Sequence, residues 1–402
     1  MSHLYDQSPL GKGFSGDLFG RLKVSNPYTV FDASHRYSQD GDFDDVIVGS
    51  GSTSGIITSQ STATLTIGST SGCSYIRESK RVYKYQPGKS LQCLQTFVFE
   101  APKPNLVQRV GYASSENGVM LELNGSDLNI IKRTAISGVG TVVTVPQSEW
   151  NHDTLDGNGP SGVILDPSKI QILFSEFEWL GAGSVRVGVV VDGTFIIAHR
   201  FDHANTLNSV YMTTASLPIR YEIINTGNVG SASTLKQVCV SIISNGGYEK
   251  KVAPNTIARP QPLTGIGLTF QPLVSYRLAP ERGDGIILLH TYQTLPLSNN
   301  INYEIAVIKN ATLTGAAFSS SPSPNVYFDR TSTALSGGQI IHREYLAGSN
   351  QASGAVSTSE EYNWDLQLGR TQAKVSDIIT LAIRTLSGSG DAIGSLEFYD
   401  LT

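Results

Sequence analysis

The sequence predicts an all-β protein: a jelly-roll β-sandwich followed by a smaller C-terminal β-sandwich, with an extended N-terminal arm ahead of both. Short apolar or alternating runs succeed one another from about Thr64 to the last residue, bounded by turn residues, and no long helical period interrupts them. Two-residue Asx-Gly turns recur, most clearly Asp192-Gly193 between SVRVGVVV and TFIIAHR, then Asn124-Gly125 and Asp284-Gly285. Composition agrees. Charged residues are 16% of the chain, below the roughly 25% of an average domain, and 40 of 402 residues are glycine, above the usual share of about 7%. Low charge and high glycine suit a β protein that hides surface in an assembly, and a chain of this length calls for two cores.

Residues 1 to 35 set isolated bulky side chains among Gly, Ser, Pro and polar residues. Leu18, Phe19, Arg21, Val24, Tyr28 and Phe31 are the candidate assembly residues of an arm, since a segment this sparse builds no core of its own and gains stability by packing on a neighbour. The alternative is a flexible N-terminus. The Ser/Thr/Gly-rich stretch 49–72 reads as either two edge strands or a surface loop. The first sandwich spans 36–248, with candidate strands such as YIRESKRVYKY, KSLQCLQTFVFE, GVMLELN, GTVVTV, KIQILFSEFEWL and LKQVCVSII. Segment 249–264, EKKVAPNTIARPQPLT, reads as a Pro-rich linker, and 265–402 supplies the strands of the second sandwich.

The balance of 29 basic and 34 acidic residues leaves −5, which offers no electrostatic footprint for nucleic acid, so no direct nucleic-acid partner is expected. Three cysteines, Cys73, Cys93 and Cys239, argue against a disulfide framework and for folding in a reducing cytoplasm. The start, MSHLYDQSPLGKGF, lacks the pattern of a signal peptide, and no apolar run is long enough for a membrane helix, so neither export by that route nor membrane insertion is expected.

Three groups of residues could carry chemistry. Glu176 and Glu178 in FSEFEW lie two apart on a strand, so both carboxylates point to one face with Cα atoms about 7 Å apart. Jelly-roll glycosidases use carboxylates along a single strand, but in the order Glu, Asp, Glu, and here a third acid in phase is missing. His199 and His203 have the i, i+4 spacing that binds zinc on a helix, yet they sit on a strand pattern that holds them about 13 Å apart. The loop Asn151 to Gly162 offers Asp153, Asp156 and Asn158 to a cation but lacks the alternating acids and closing Glu of a calcium loop. No Gly-x-Ser-x-Gly elbow and no phosphate loop is present. The expectation is a protein that is not an enzyme, with no catalytic residues, no metal and no cofactor.

Several stretches resemble a family of virion structural proteins of tailed bacteriophages, especially large phages of aquatic bacteria. They are FGRLKVSNPYTVFDASHRY, KRVYKYQPGKSLQ, QRVGYASSENGVMLEL, the long run from VPQSEWNHDTLDGNGPSG to FDHAN, VYMTTASLPIRYEI and STLKQVCVSIISNGGYE, together covering Phe19 to Glu249. The resemblance implies a structural component of the particle with a laminin-G or concanavalin-like main domain, and it carries no active site across. FGRLKVSNPYTVFD would be the anchor. The expected function is a structural virion protein, in a fibre, a baseplate or a head decoration, that assembles as a symmetric homo-oligomer, with a trimer as the first expectation. Its partners would be copies of itself and other virion proteins. The alternatives are a carbohydrate-binding module that adsorbs the particle to host glycan, with Trp150, Trp179 and Trp364 as the available tryptophans, and a depolymerase using Glu176 and Glu178.

Overall fold

The computed structural model describes residues 25–320, 323–348, 355–356 and 366–402. Strands make up 53% of the described residues and helix 2%, where an average domain has about a third in helix, so the protein is all-β as the alternation requires. The first sandwich contains β1 (Tyr28–Ser34), β2 (Phe43–Val48), β3 (Thr53–Ile57), β4 (Thr62–Ile67), β5 (Ser74–Ser79), β6 (Ser90–Val98), β7 (Leu106–Ala113), β8 (Gly118–Asn124), β9 (Asp127–Thr134), β10 (Thr141–Pro146), β11 (Gln171–Phe177), β12 (Val185–Val191), β13 (Thr194–Phe201), β14 (Ile219–Asn225) and β15 (Ser233–Asn245). One sheet has eight strands in the order β13-β12-β11-β6-β15-β4-β3, with β1 also paired to β15. The other has seven, in the order β10-β9-β8-β7-β14-β5-β2. Strands remote in sequence lie side by side, β11 against β6 and β14 between β7 and β5, which is the crossing pattern of a jelly roll.

Alternation decides what lies between the sheets. Tyr75, Val110, Tyr112, Tyr221 and Ile223 point inward from one sheet and Leu65, Phe97, Leu173, Phe177 and Ile242 from the other, all within one buried cluster. Tyr112 spans the gap, its ring 5.1 Å from that of Phe177, its one hydroxyl proton shared between the carbonyls of Tyr83 and Ala215 and its oxygen accepting from Leu217 N–H. The Asp192-Gly193 turn closes the β12–β13 hairpin with φ of 48° and 81°, the left-handed pair that a tight hairpin needs. Gly188 is held for a different reason: a Cβ there would stand 2.0 Å from the carbonyl oxygen of Ile196.

The N-terminal segment divides. Leu18, Phe19, Arg21 and Val24 lie outside the described residues. Tyr28 and Phe31 belong to β1, which pairs antiparallel with the second half of β15 from Tyr28↔Ser244 to Ser34↔Cys239. Phe31 is only 4% exposed and stacks on Tyr83 of its own chain at 4.9 Å, so it fills this core and needs no neighbour to cover it. A sparse segment reads as an arm when the strand that completes it lies far along the chain. The Ser/Thr/Gly-rich stretch resolves as β3, at the sheet edge, and β4, inside the sheet. In the Pro-rich segment, Asn255–Ala258 is itself a strand and pairs with Gly390–Asp400.

The smaller sandwich sets a six-stranded sheet, built around Gln271–Leu278, Asn302–Lys309 and Ile378–Thr385, over a five-stranded sheet built around Ile287–Pro296 and Gly390–Asp400. Its core is separate, with Tyr276, Tyr292, Tyr303, Ile305, Leu381 and Phe398 buried. The two sandwiches touch: Val82 packs with Ile286, Leu288 and Leu401, the Gln367 amide donates to the Val82 carbonyl at 2.8 Å, and Gln372 reaches Asp44 and Ile76.

Candidate binding cleft at the end of β11

β11 alternates Leu173, Ser175 and Phe177 toward the core, which turns Glu176 and Glu178 to the outer side. The two carboxylates meet different fates. Glu176 is consumed by the sheet: it accepts from the Ser90 hydroxyl on β6 at 2.6 Å and pairs with Arg186 on β12 at 3.0 Å. Glu178 lies one step past the strand, is exposed, and its carboxylate makes no hydrogen bond or ion pair among the described residues.

Glu178 opens onto a cleft of about 650 Å³ where the ends of β11, β6 and β15 converge. Lys89, whose Nζ donates to Gln86 Oε1 at 3.0 Å, and Ser90 line it from the start of β6, Asn245, whose amide reaches Glu176 Oε1 at 3.5 Å, and Gly246 from the end of β15, and Leu180, Ala182 and Gly183 from the turn after β11, together with Tyr85. Burial, and then the Glu178 charge, push the Tyr85 hydroxyl above its ordinary value, so it stays a donor at neutral pH. The turn is tightly built. Glu178 N–H donates to Ser184 O at 3.0 Å, the Tyr211 hydroxyl donates to Glu178 O at 3.1 Å, and a Cβ on Gly183 would stand 1.8 Å from that same oxygen.

His203 braces the turn from beneath. Its Nδ1–H donates to Gly183 O at 2.7 Å, which leaves Nε2 to accept from Lys132 Nζ at 2.8 Å, and its ring stacks on Tyr211 at 3.9 Å. Burial lowers the pKa of both His203 and Lys132, and neutral His203 is the state this arrangement needs. His199 packs edge-on against Phe201 instead. The two histidines therefore have separate structural roles, and no group of three or more metal-ligating residues forms among the described residues. In the Asn151 to Gly162 loop, Asp153 is nearly buried and accepts from Leu155 N–H and Ser161 N–H, while Asp156 accepts from Thr154 and Asn158. These acids fold the loop.

Of the tryptophans, Trp150 donates its indole N–H to Val145 O and Trp179 donates to Met212 O, both packed on the core, and Trp364 lies outside the described residues. Sequence reasoning found the acidic pair but missed Tyr85, Lys89, Asn245 and the Gly183 turn, which come from three distant segments. The glycines of WLGAG and NGG mark turns beside the acids and were the available signal.

A second cleft, about 680 Å³, lies between the two sandwiches, but several of its cations are already engaged: Arg220 with Glu78 and Glu222, Lys80 with Gly41 O, and Arg370 with Pro280 O. That cleft is also lined by Glu116, Glu281, Asp284 and Lys374, so an open charge is common to both; the first is set apart by gathering the ends of three adjacent strands, β11, β6 and β15.

No protein-family model and no curated protein matches the chain. Among solved structures it is similar to Bacillus licheniformis β-glucanase, with 12% identity, 55% of this chain and 98% of that one covered, and a TM-score of 0.34. It is also similar to Crh5 transglycosylase (11%, 55% and 88%, TM-score 0.36) and to peanut lectin (11%, 55% and 97%, TM-score 0.32). At these values no ligand or residue role passes to this chain. One expectation is nevertheless corrected. The chain was expected not to be an enzyme, but a glucanase and a transglycosylase stand among the structures it is similar to, so catalysis is not excluded. The missing third acid removes one arrangement of groups; it leaves Glu178 free in an open cleft.

Proposed function

We propose that this protein is a glycan-binding adsorption module carried on a tailed-phage particle. The observation that carries the binding half is the cleft at Glu178. Sugars present hydroxyls that donate and accept beside C–H faces that are apolar. A free carboxylate, an ammonium group (Lys89), an amide (Asn245) and an apolar side chain (Leu180) offer that combination within one concave surface. The particle half is supported by the resemblance over Phe19 to Glu249 and by the low charge of the chain.

Calorimetric titration of the full-length protein with host envelope polysaccharide tests the binding. Saturable binding is expected, weakened about tenfold or more in both Glu178→Gln and Asn245→Ala, which is the loss of about 1.4 kcal/mol that one good polar contact supplies. Binding that neither variant changes, or no binding to any envelope polysaccharide, would refute the reading. New reducing ends counted in the same samples report any turnover.

A further inference from the structure

We propose that β10 is a self-association edge, where a second copy of this chain pairs antiparallel with the first to run one β-sheet through both. The inference does not rest on glycan binding.

Edge strands expose unpaired backbone, and proteins usually blunt them by cover, by charge or by proline. Besides β1, whose one strand partner among the described residues is β15, four strands edge the two sheets, and three of those four edges receive hydrogen bonds from outside the sheet. The β13 edge receives His152 N–H and Asp153 N–H on Ala198 O, with the Asn151 side chain bonded to both Arg200 N–H and Arg200 O. The β2 edge receives the Gln372 amide on Asp44 O, and the β3 edge the Gln39 amide on Gly55 O. The fourth, β10, receives one such bond among the described residues, from Trp150 Nε1 to Val145 O at its C-terminal end, and that carbonyl keeps a second lone pair, so none of the described residues covers the rest of the strand. The strand also has no guard charge from Val139 to Pro146, and Val139, Val142 and Val143 are 68%, 57% and 45% exposed.

The sequence of the strand specifies the occupant. A two-fold axis perpendicular to the sheet keeps each side chain on its own face only if the paired numbers sum to an even value, and centring it on Val143 uses the whole strand. Val143 then meets Val143 of the other copy, Val142 meets Thr144, and Thr141 meets Val145. Every pair is β-branched and uncharged, the type that stabilises antiparallel neighbours. Val143 and Val145 lie opposite Lys132 and Ile130 of β9, on the core-facing side, so the apolar inner face would continue across the axis.

Sedimentation equilibrium on the full-length protein tests this, with a mass twice that of the chain expected at about 10 μM and above. Val143→Glu places two carboxylates together at the axis while Lys132 of the same chain offsets each charge in the separated copy. It should raise the dissociation constant about tenfold or more with an unchanged circular dichroism spectrum, and Val143→Thr should leave it unchanged. In a Cys239→Ser background, Val143→Cys should cross-link under oxidation, because opposed Cβ atoms lie about 4.5–5.5 Å apart. Thr141→Cys should cross-link only when mixed with Val145→Cys. A monomer at about 100 μM, an oligomer indifferent to Val143→Glu, or one lost only on deleting residues 1–24 would each overturn the proposal.

Discussion

Acidification from pH 7 to pH 4 should cost the first sandwich about 2–3 kcal/mol through a single side chain, His35. His35 follows β1 and has no exposed surface. Its Nδ1 accepts the Asp40 backbone N–H at 3.1 Å, so the folded ring is neutral with its proton on Nε2, beside Gln237. Protonating Nδ1 would break that bond and bury a cation close to the Arg77 guanidinium. Burial first, and Arg77 second, pull the imidazole down from 6.5 to about 4. Because the folded value lies below the unfolded one, the unfolded chain takes up the proton first. Stability is therefore complete above about pH 6.5 and is lost as the pH falls to about 4. The interval corresponds to about 3 kcal/mol, and Asp40, whose own pKa burial raises, returns a part at the acid end by protonating more readily in the folded state. Urea unfolding at pH 7, 5.5 and 4, followed through Trp150 and Trp179, should show this loss in the natural protein and about 2–3 kcal/mol less of it in His35→Gln. His199 and His203, also lowered by burial, act in the same direction in both proteins and cancel in the comparison. An imidazole that titrates near its ordinary value in the folded protein, followed by NMR, would refute the reasoning.

Glu222→Gln should destabilise the seven-stranded sheet by about 3–5 kcal/mol, read as a fall of about 10 °C in the calorimetric midpoint of the first sandwich. Glu222 is nearly buried among Arg133, Arg109 and Arg220. Burial alone would raise its carboxyl, but Arg133, Arg220 and Arg109 hold it well below the usual range, and removing its charge leaves three guanidinium groups short of a partner. Phe31→Ala should cost about 3–5 kcal/mol in urea unfolding, because the ring lies between Tyr83, Phe43 and the Arg81 guanidinium in its own core; a cost below about 1 kcal/mol would return Phe31 to an arm.

The all-β fold was legible because period-two alternation and Asx-Gly turns are local signals, and Asp192-Gly193 does in the structure what its dipeptide predicts. What stayed hidden was pairing between distant segments. β1 is completed by β15, and Asn255–Ala258 by the last long strand, so both read as unattached chain until the partner is placed. The acidic pair was legible as a pair, but its division was not. Ser90 and Arg186 take up Glu176 only because β6 and β12 flank β11, a neighbourhood no spacing along the sequence encodes. Phe31 shows the same limit from the other side: a bulky residue among small ones signals that something must cover it, and says nothing of whether the cover comes from the same chain.

The two proposed surfaces are compatible, and together they imply more than either alone. No cleft residue belongs to β10: the cleft gathers the ends of β6, β11 and β15, all strands of the eight-stranded sheet, whereas β10 closes the edge of the seven-stranded one. Pairing through β10 would therefore carry two clefts on one body without consuming either. A shallow cleft with one free carboxylate, one ammonium group and one amide offers few contacts, so its affinity for a single glycan chain should be modest. A surface polysaccharide repeats its units, however, and a second cleft held at fixed separation turns the second contact into an intramolecular one, which raises avidity by about 10²–10⁴ without any new interaction. The surface that joins copies and the surface that holds sugar would then be coupled through geometry alone. Val143→Glu, though far from any sugar in sequence, should lower apparent affinity for polymeric glycan while leaving affinity for a short oligosaccharide unchanged.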